Sequence, residues 1–384
     1  MSLSVLGLAY QRYSAPVPFG LLQPDRLFHM ALLGQTGTGK STLLHNLIWQ
    51  DVVAARGFCL LDPHGDLAEG LHRGLPSSHL YWDIADPSCQ LGYNPLAPVG
   101  AAHRPLVASG LIETLKARWS DAWGPRMEHL LRYSILALLE QPSANLQDIL
   151  KLLIWKGFRR QVVEQITDEQ VRLFWKHEYP QMNYQTSADG VSAIANKLGA
   201  FLAQPQVRTA LCEPKEPLRF RSLMDTGGQL IVNLAKGRLG ADVTNVFGGL
   251  ITSSLMHAAL TRHSLPTVAR RPFFLYADEY HSFTTAAFAG LLAEARKYGL
   301  ALVLAQQHRS QSSLAVREAL EGNVGSTAIF RTGLSDALHL ERSVPPYTAH
   351  DLSNQPNHRV VVQMMVNGTR SKAFSASMYP AHQG

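Results

Sequence analysis

Apolar residues run almost unbroken from Arg26 to Gly34, LFHMALLG, and stop at a glycine, which predicts a buried strand. Beyond a short polar stretch, Leu43, Leu44, Leu47 and Ile48 recur at helical spacing and predict a helix from about Lys40 to Ala55. A second apolar run, GFCLLDP, predicts a short strand ending at Asp62. Strand, turn, helix and strand in this order open an α/β domain with a parallel sheet.

The pattern changes from about Ala101 to Pro214. Apolar residues there keep helical spacing, as in MEHLLRYSILALLE and LQDILKLLIW, and almost nothing alternates as a strand does. Strand–helix alternation then resumes. GQLIVNLA, PFFLYAD, LALVLAQ and STAIFR read as strands. NVFGGLITSSLMHAALTRH, the stretch around Ala286–Lys297 and the stretch near Ser312–Leu320 read as helices. Near the C-terminus, HRVVVQMMV and TRSKAFSASM flank Asn367-Gly368, the strongest two-residue hairpin signal. The expected division is an α/β core over 1–100 and 226–384, interrupted by an all-helical insertion over 101–225. No internal repeat is visible.

Composition narrows the class. With 46% apolar and 17% charged residues over 384 positions, the chain is globular and well cored rather than disordered. No run reaches the roughly 18 uninterrupted apolar residues of a membrane helix. MSLSVLGLAYQRYSAP lacks a basic segment followed by an apolar one, so neither a signal peptide nor direct membrane insertion is expected. The three cysteines, Cys59, Cys89 and Cys212, are far apart, which suits a reducing cytoplasm and makes no zinc or disulfide framework. The net charge of +6 divides as −2 over 1–100, +3 over 101–225 and +5 over 226–384. That surplus is compatible with a polyanionic partner.

Chemistry enters with GQTGTGKS, Gly34 to Ser41, a full G-x-x-x-x-G-K-[ST] between a predicted strand and a predicted helix. Glycines let such a loop wrap phosphates with its backbone N–H groups, and the helix N-terminus adds a favourable dipole. Thr36, Gly37, Thr38, Gly39, Lys40, Ser41 and Thr42 are therefore the candidate nucleotide-binding residues. Lys40 reaches the β- and γ-phosphates of ATP, and the Ser41 hydroxyl ligates Mg²⁺. In FFLYADE, Asp278 and Glu279 end a very apolar strand. Asp278 is the second candidate at the metal, and Glu279 the candidate general base that polarises the attacking water. An adjacent glutamate marks an ATP hydrolase over a kinase or a simple switch. Gln306, ending LALVLAQ, is placed to sense the γ-phosphate or orient water, although polar strand ends are common. In EARKYG, Arg296 and Lys297 read as a helix C-terminus with Gly299 beyond it; the other reading is that, in a ring, Arg296 reaches the nucleotide of a neighbour. His281, beside the acidic pair, reads as structural or as a support to the site residues rather than as a ligand.

Lys40 and Asp278 are 238 positions apart, which calls for an insertion between them. DRLFHMALLGQTGTGKSTLL, LLDPHGDL, WGPRMEHLLRYSILALLE, FLYADEYHSF, LAEARKYGLALVLAQQ and GNVGSTAIFRTGLSDA resemble the type IV secretion coupling proteins of the HerA/FtsK superfamily, from about Asp25 to Ala337. The resemblance implies a RecA-like P-loop core with a mainly parallel sheet. It further implies a hexameric ring and ATP-driven movement of DNA through a central channel. Lys40 and Ser41 match the family's Walker A positions, Asp278 and Glu279 its Walker B, and Gln306 the glutamine of the following strand. Arg296 falls where its trans-acting arginine lies, with Arg126 as a second candidate. Asp62, His64 and Asp66 match its DPHGD motif, whose role the sequence leaves open. The family's N-terminal membrane helices and the HerA barrel find no counterpart before Gly34, so the chain reads as the motor module alone.

These readings point to a DNA translocase working as a homo-oligomeric ring in the cytoplasm, on DNA of any sequence. Lys236 and Arg238, in AKGRLG, are the candidate DNA contacts. Two alternatives stand beside it. One is a secretion-machine ATPase moving polypeptide. The other is a ring-forming regulatory ATPase partnered with a separate effector such as a nuclease; a membrane or effector protein is the further partner these readings allow.

Overall fold

Short runs of buried Val, Ile, Leu and Phe form the strands of a central sheet. The computed structural model describes residues 3–10, 14–76, 78–182, 188–284 and 286–382. Among these, eleven strands make one sheet. In chain order they are β1 (Leu3–Ala9), β2 (Val17–Leu22), β3 (Met30–Leu33), β4 (Gly57–Asp62), β5 (Leu80–Asp83), β6 (Gln229–Asn233), β7 (Phe273–Ala277), β8 (Leu300–Gln306), β9 (Ser326–Ile329), β10 (Arg359–Gln363) and β11 (Phe374–Met378). Their spatial order is β2-β1-β11-β10-β9-β3-β8-β7-β4-β6-β5. The six strands from β9 to β6 pair in parallel, and β10, β11, β1 and β2 extend the sheet antiparallel. This is the expected α/β core with a mainly parallel sheet. β4, β7 and β8 are buried along their whole length, which explains their unbroken apolar runs.

The chain forms two compact units. One comprises Met1–Tyr81, Phe220–Ala235 and Ala258–Gly384, and the other Trp82–Arg219 and Lys236–His257. The second is almost wholly helical among its described residues. Its helices include Arg104–Arg118, Pro125–Leu138, Leu146–Ile154 and Ala188–Ala203. Asn145 caps the third of these in a reciprocal capping box with Asp148. The long helix Ala241–Leu260 continues as a tighter turn to Ser264. By length and composition this segment could cross a membrane, yet 72% of its most apolar window is buried, as in a core helix.

In the first unit, the helix Lys40–Val53 lays Leu43, Leu44, Leu47 and Ile48 against Leu32, Tyr276, Ala301 and Val303 of the sheet. A buried polar knot fixes it there. Asp51 near the helix end takes two hydrogen bonds from Arg26, at 2.6 and 2.8 Å, and one from Arg56 at 2.8 Å. The Tyr276 hydroxyl of β7 donates to Asp51 at 2.5 Å, and the Arg26 guanidinium lies 3.7 Å from the centre of the Phe274 ring. The turn preceding the phosphate loop, the loop's own helix and the acidic strand are thus tied through one carboxylate.

Several expected elements shift. The run expected as a strand from Arg26 to Gly34 is a strand only over Met30–Leu33. Gln23–Arg26 is a helical turn, and His29 takes φ 64° between the two. The helix expected near Ser312–Leu320 spans Leu314–Asn323, because the Ser313 hydroxyl caps it. Asn367 and Gly368, at φ 51° and 78°, make the expected hairpin turn between Met365–Val366 and Thr369–Arg370. Their N–H groups donate to Asp25 at 2.9 Å.

Candidate functional site

β3, β8, β7 and β4 lie side by side and parallel, so their C-terminal ends open on one edge, where α/β sheets place their ligands. The phosphate loop follows β3. Gly37 and Gly39 stand at φ 75° and 119°. At Gly39 a Cβ would come 2.9 Å from His358 Nδ1, so both the backbone and the neighbour demand glycine. Thr36 and Gly37 are exposed and Thr38 is buried, its hydroxyl donating to the Gln35 carbonyl at 2.7 Å. Lys40 and Ser41 open the helix, and half-buried Thr42 follows.

Lys40 Nζ donates to the carbonyls of Gly34 and Gln35, at 2.6 and 3.0 Å, which folds the ammonium over the loop. Burial pulls its pKa down, while Asp278 and Glu279 oppose that fall. The Ser41 hydroxyl donates to Asp278 Oδ2 at 3.1 Å, across 237 positions of sequence. Burial holds the Asp278 carboxyl above its ordinary range, and the Asp62 carboxylate adds to the rise. Glu279 sits at φ 45°, ψ 43°, a left-handed conformation that costs a non-glycine residue energy and recurs at functional sites.

Glu279 is held from two directions. Gln307 Nε2 donates to its Oε1 at 2.6 Å, and His64 Nε2 lies 3.0 Å from its Oε2. Gln306 is not brought to this carboxylate. It is buried, and its Oε1 lies 2.9 Å from the Ser312 hydroxyl, which is also 3.2 Å from the Tyr280 hydroxyl. Gln306 is the last residue of β8 and Gln307 the first beyond it, and it is Gln307 whose amide reaches Glu279.

The turn after β4 acquires an assignment. Asp62 accepts from the backbone N–H groups of His64 and Ala68, at 3.0 and 2.9 Å, and so organises the turn and the start of the helix Asp66–Gly74. Burial raises its pKa, and those same N–H groups oppose the rise. Gly65 turns at φ 96°, where a Cβ would meet Asn233 Oδ1 at 2.6 Å. The result presents His64 to Glu279. Asp66 is exposed in the first turn of its helix, where the dipole favours a carboxylate.

The remaining candidates lie elsewhere. Arg296 is exposed at the other end of β8, its guanidinium 3.3 Å from the centre of the Phe28 ring, and Gly299 closes the turn at φ 75°. Arg126 is exposed at the start of the helix Pro125–Leu138. Arg238 pairs with Asp83 at 2.5 Å, and Lys236 precedes it in the short helix Lys236–Leu239. His281 is half-buried, its Nε2 3.5 Å from the Ser282 hydroxyl. Sequence reading missed Gln307, one position beyond its candidate. It also missed Arg331, which follows β9 and donates to Gln35 Oε1 beside the phosphate loop at 3.3 Å.

Comparison with known proteins agrees with this geometry. No curated protein matches the chain. Among solved structures, the bacterial conjugative coupling protein TrwBdeltaN70, a trigonal form in complex with sulphate, is 17% identical with a TM-score of 0.69, over 94% of this chain and 87% of that one. The plasmid coupling protein TrwB in complex with ADP and Mg²⁺ is 17% identical with a TM-score of 0.68, over 95% and 88%. VirB4 of Thermoanaerobacter pseudethanolicus is 14% identical with a TM-score of 0.66, over 98% and 96%. These likenesses establish the fold. The family model for the central domain of the helicase HerA matches residues 6–238, more than half of the chain, including the phosphate loop and the Asp62–Asp66 turn. The chain belongs to the family of the HerA helicase central domain.

Proposed function

We propose that the chain hydrolyses ATP with Mg²⁺ and uses the energy to move DNA through a ring of its own copies. The observation that carries the reading is the meeting of Ser41, Asp278 and Glu279 at the mouth of the phosphate loop. Mg²⁺ fits the donor set. A hydroxyl and a carboxylate are hard oxygen ligands, and Asp278 sits in a desolvated, acidic corner beside Asp62 that a divalent cation offsets. When bound, the cation screens the charge of the β- and γ-phosphates. The loop backbone from Thr36 to Thr42 and the Lys40 ammonium hold the phosphates. Glu279 accepts the proton of the attacking water, and Gln307 and His64 orient its carboxylate. The related TrwB structure in complex with ADP and Mg²⁺ supports this choice of nucleotide and metal.

The motor part rests on the family, on the conjugative coupling protein among the structural relatives, and on a net charge of +6. Contacts from basic residues to phosphates make such binding independent of sequence and steeply salt-dependent. The test is ATP turnover with and without duplex DNA, for the wild type, Lys40→Ala and Glu279→Gln. Lys40→Ala loses ATP binding or turnover. Glu279→Gln binds ATP and turns over far more slowly. DNA raises the wild-type rate, and light scattering with ATP and DNA shows a closed ring. Wild-type turnover in Glu279→Gln removes the base assignment. A rate that unfolded polypeptide raises and DNA does not makes the cargo protein.

A further inference from the structure

A cavity of about 610 Å³ is lined by residues of β3 and β8 and of the helices Leu314–Asn323 and Leu334–Leu340. Tyr280 and Gln306 line it, each the chain neighbour of a residue that meets at the candidate catalytic carboxylate, Glu279 and Gln307. Its floor is aliphatic: Leu33, Leu304, Leu320 and Val344 face the space. The apolar surface continues outward, since Leu338, which lines the cavity, is 53% exposed and Leu334, one helical turn earlier, is 61% exposed.

The rim is cationic. Arg309, Arg317, Arg342 and Arg370 supply the charge, beside His339, against one carboxylate among the described lining residues, Glu321. Glu321 is already engaged by Arg309 and by His339. Arg370 donates to the Val324 carbonyl at 2.6 Å. Arg317 has a buried Nε with no hydrogen-bond partner among the described residues, and Arg342 is exposed. A buried guanidinium donor without an acceptor is costly, and an anionic oxygen is the group that relieves it.

An aliphatic floor under an arginine rim is the chemistry of a peptide-docking groove, where apolar anchors seat and charged groups fix register. Single-stranded nucleic acid binds instead on aromatic stacking platforms, and among the described residues lining this cavity Tyr280 is the single Phe, Trp or Tyr. We infer that this groove binds a short peptide segment of a partner protein in which Asp or Glu alternates with Leu, Ile or Val. Its acidic groups pair with Arg317 and Arg342, and its aliphatic side chains cover Leu338 and fill the space over Leu304 and Val344. A segment bound there rests against Tyr280 and Gln306.

The test uses the full chain and a fluorescent pool of short peptides built from Asp, Glu, Leu and Val, followed by anisotropy. A pool with Lys replacing the acids and a single-stranded oligothymidylate serve as comparators. The acidic pool binds the wild type and the lysine pool does not. Arg342→Glu and Leu338→Asp, both at exposed positions, keep the wild-type melting temperature and each weaken binding by about tenfold or more. Arg317→Gln weakens it as well. The inference is overturned if the acidic pool fails to bind, or binds equally to Arg342→Glu and Leu338→Asp. It is equally overturned if oligothymidylate binds and loses affinity in the same variants, because the groove then serves nucleic acid. A smaller particle for Arg342→Glu by light scattering, with no peptide binding to the wild type, makes the groove a contact between copies and also overturns it.

Discussion

Replacing Arg296 by alanine separates a local role from one in a neighbouring subunit, and the geometry supplies the magnitudes. Arg296 lies before β8, and Gln307 lies just after it. Seven residues at ~3.3 Å each place the two about 20 Å apart along the strand. No arginine side chain covers that distance, so Arg296 cannot serve the nucleotide of its own subunit. If its work is local, the substitution loses the contact with Phe28, worth about 0.5–1 kcal/mol at an exposed site. It further loses a favourable charge at a helix end, about 0.3–1 kcal/mol. Thermal unfolding then shifts modestly, and turnover per folded molecule is unchanged. If Arg296 reaches the γ-phosphate of the adjacent subunit, turnover falls by about 10³-fold or more while ATP binding persists. The assay mixes Arg296→Ala, whose Glu279 is intact, with Glu279→Gln, whose Arg296 is intact. Some interfaces of the mixed ring then join an intact glutamate to an intact arginine, and turnover rises above that of either variant alone. Subunit exchange without any such rise refutes the trans role.

Three further outcomes follow from the site and its supports. Gln307→Ala removes the 2.6 Å hydrogen bond to Glu279 and lowers turnover by about tenfold or more, whereas Gln306→Ala costs about 1–3 kcal/mol of stability and leaves turnover per folded molecule near wild type; steady-state kinetics beside urea unfolding tells them apart, and the reverse pattern returns the assignment to Gln306. Asp51→Ala strips the buried Arg26 of its counter-charge and destabilises the fold by about 3–5 kcal/mol in urea unfolding; a loss under about 1 kcal/mol contradicts the knot. His29 is buried, with Nε2 donating to the Leu292 carbonyl and Nδ1 accepting from the Leu302 N–H, so a second proton has no acceptor. Burial lowers its pKa to about 4 from 6.5, as it does for His257. Between these values the unfolded chain binds more protons than the folded one. Stability therefore falls as pH drops from about 6.5 to about 4, by up to about 3 kcal/mol for His29. Unfolding measured across that range shows the slope, and His29→Gln removes the His29 share of it while the His257 share persists.

The sequence by itself determined the elements whose signal is local. Gly34 to Ser41 needs a strand before it and a helix after it, and both periods are written in the adjacent residues. β4, β7 and β8 are buried on both faces, so they appear as unbroken apolar runs. Asn367-Gly368 specifies its turn because both residues accept positive φ. β1 and β2 escaped because their reason for pairing lies at the far end of the chain. β1 joins β11 so closely that a Cβ at Gly7 would sit 2.1 Å from the Ser377 carbonyl oxygen. Only the tertiary structure decided which side chains meet at the strand ends. Asp62 reads as an acid after a strand, yet its carboxylate folds a turn that delivers His64 to Glu279, 215 positions away. Gln306 and Gln307 are equivalent as letters, and their partners separate them: Gln306 accepts from Ser312 at the strand end, and Gln307, just past it, donates to Glu279. The groove that Arg317 lines likewise exists only once β3, β8 and β9 are paired. Periodicity along the chain reports which residues are buried, whereas chemistry depends on distances between strands, and parallel pairing brings together residues that the sequence keeps hundreds of positions apart.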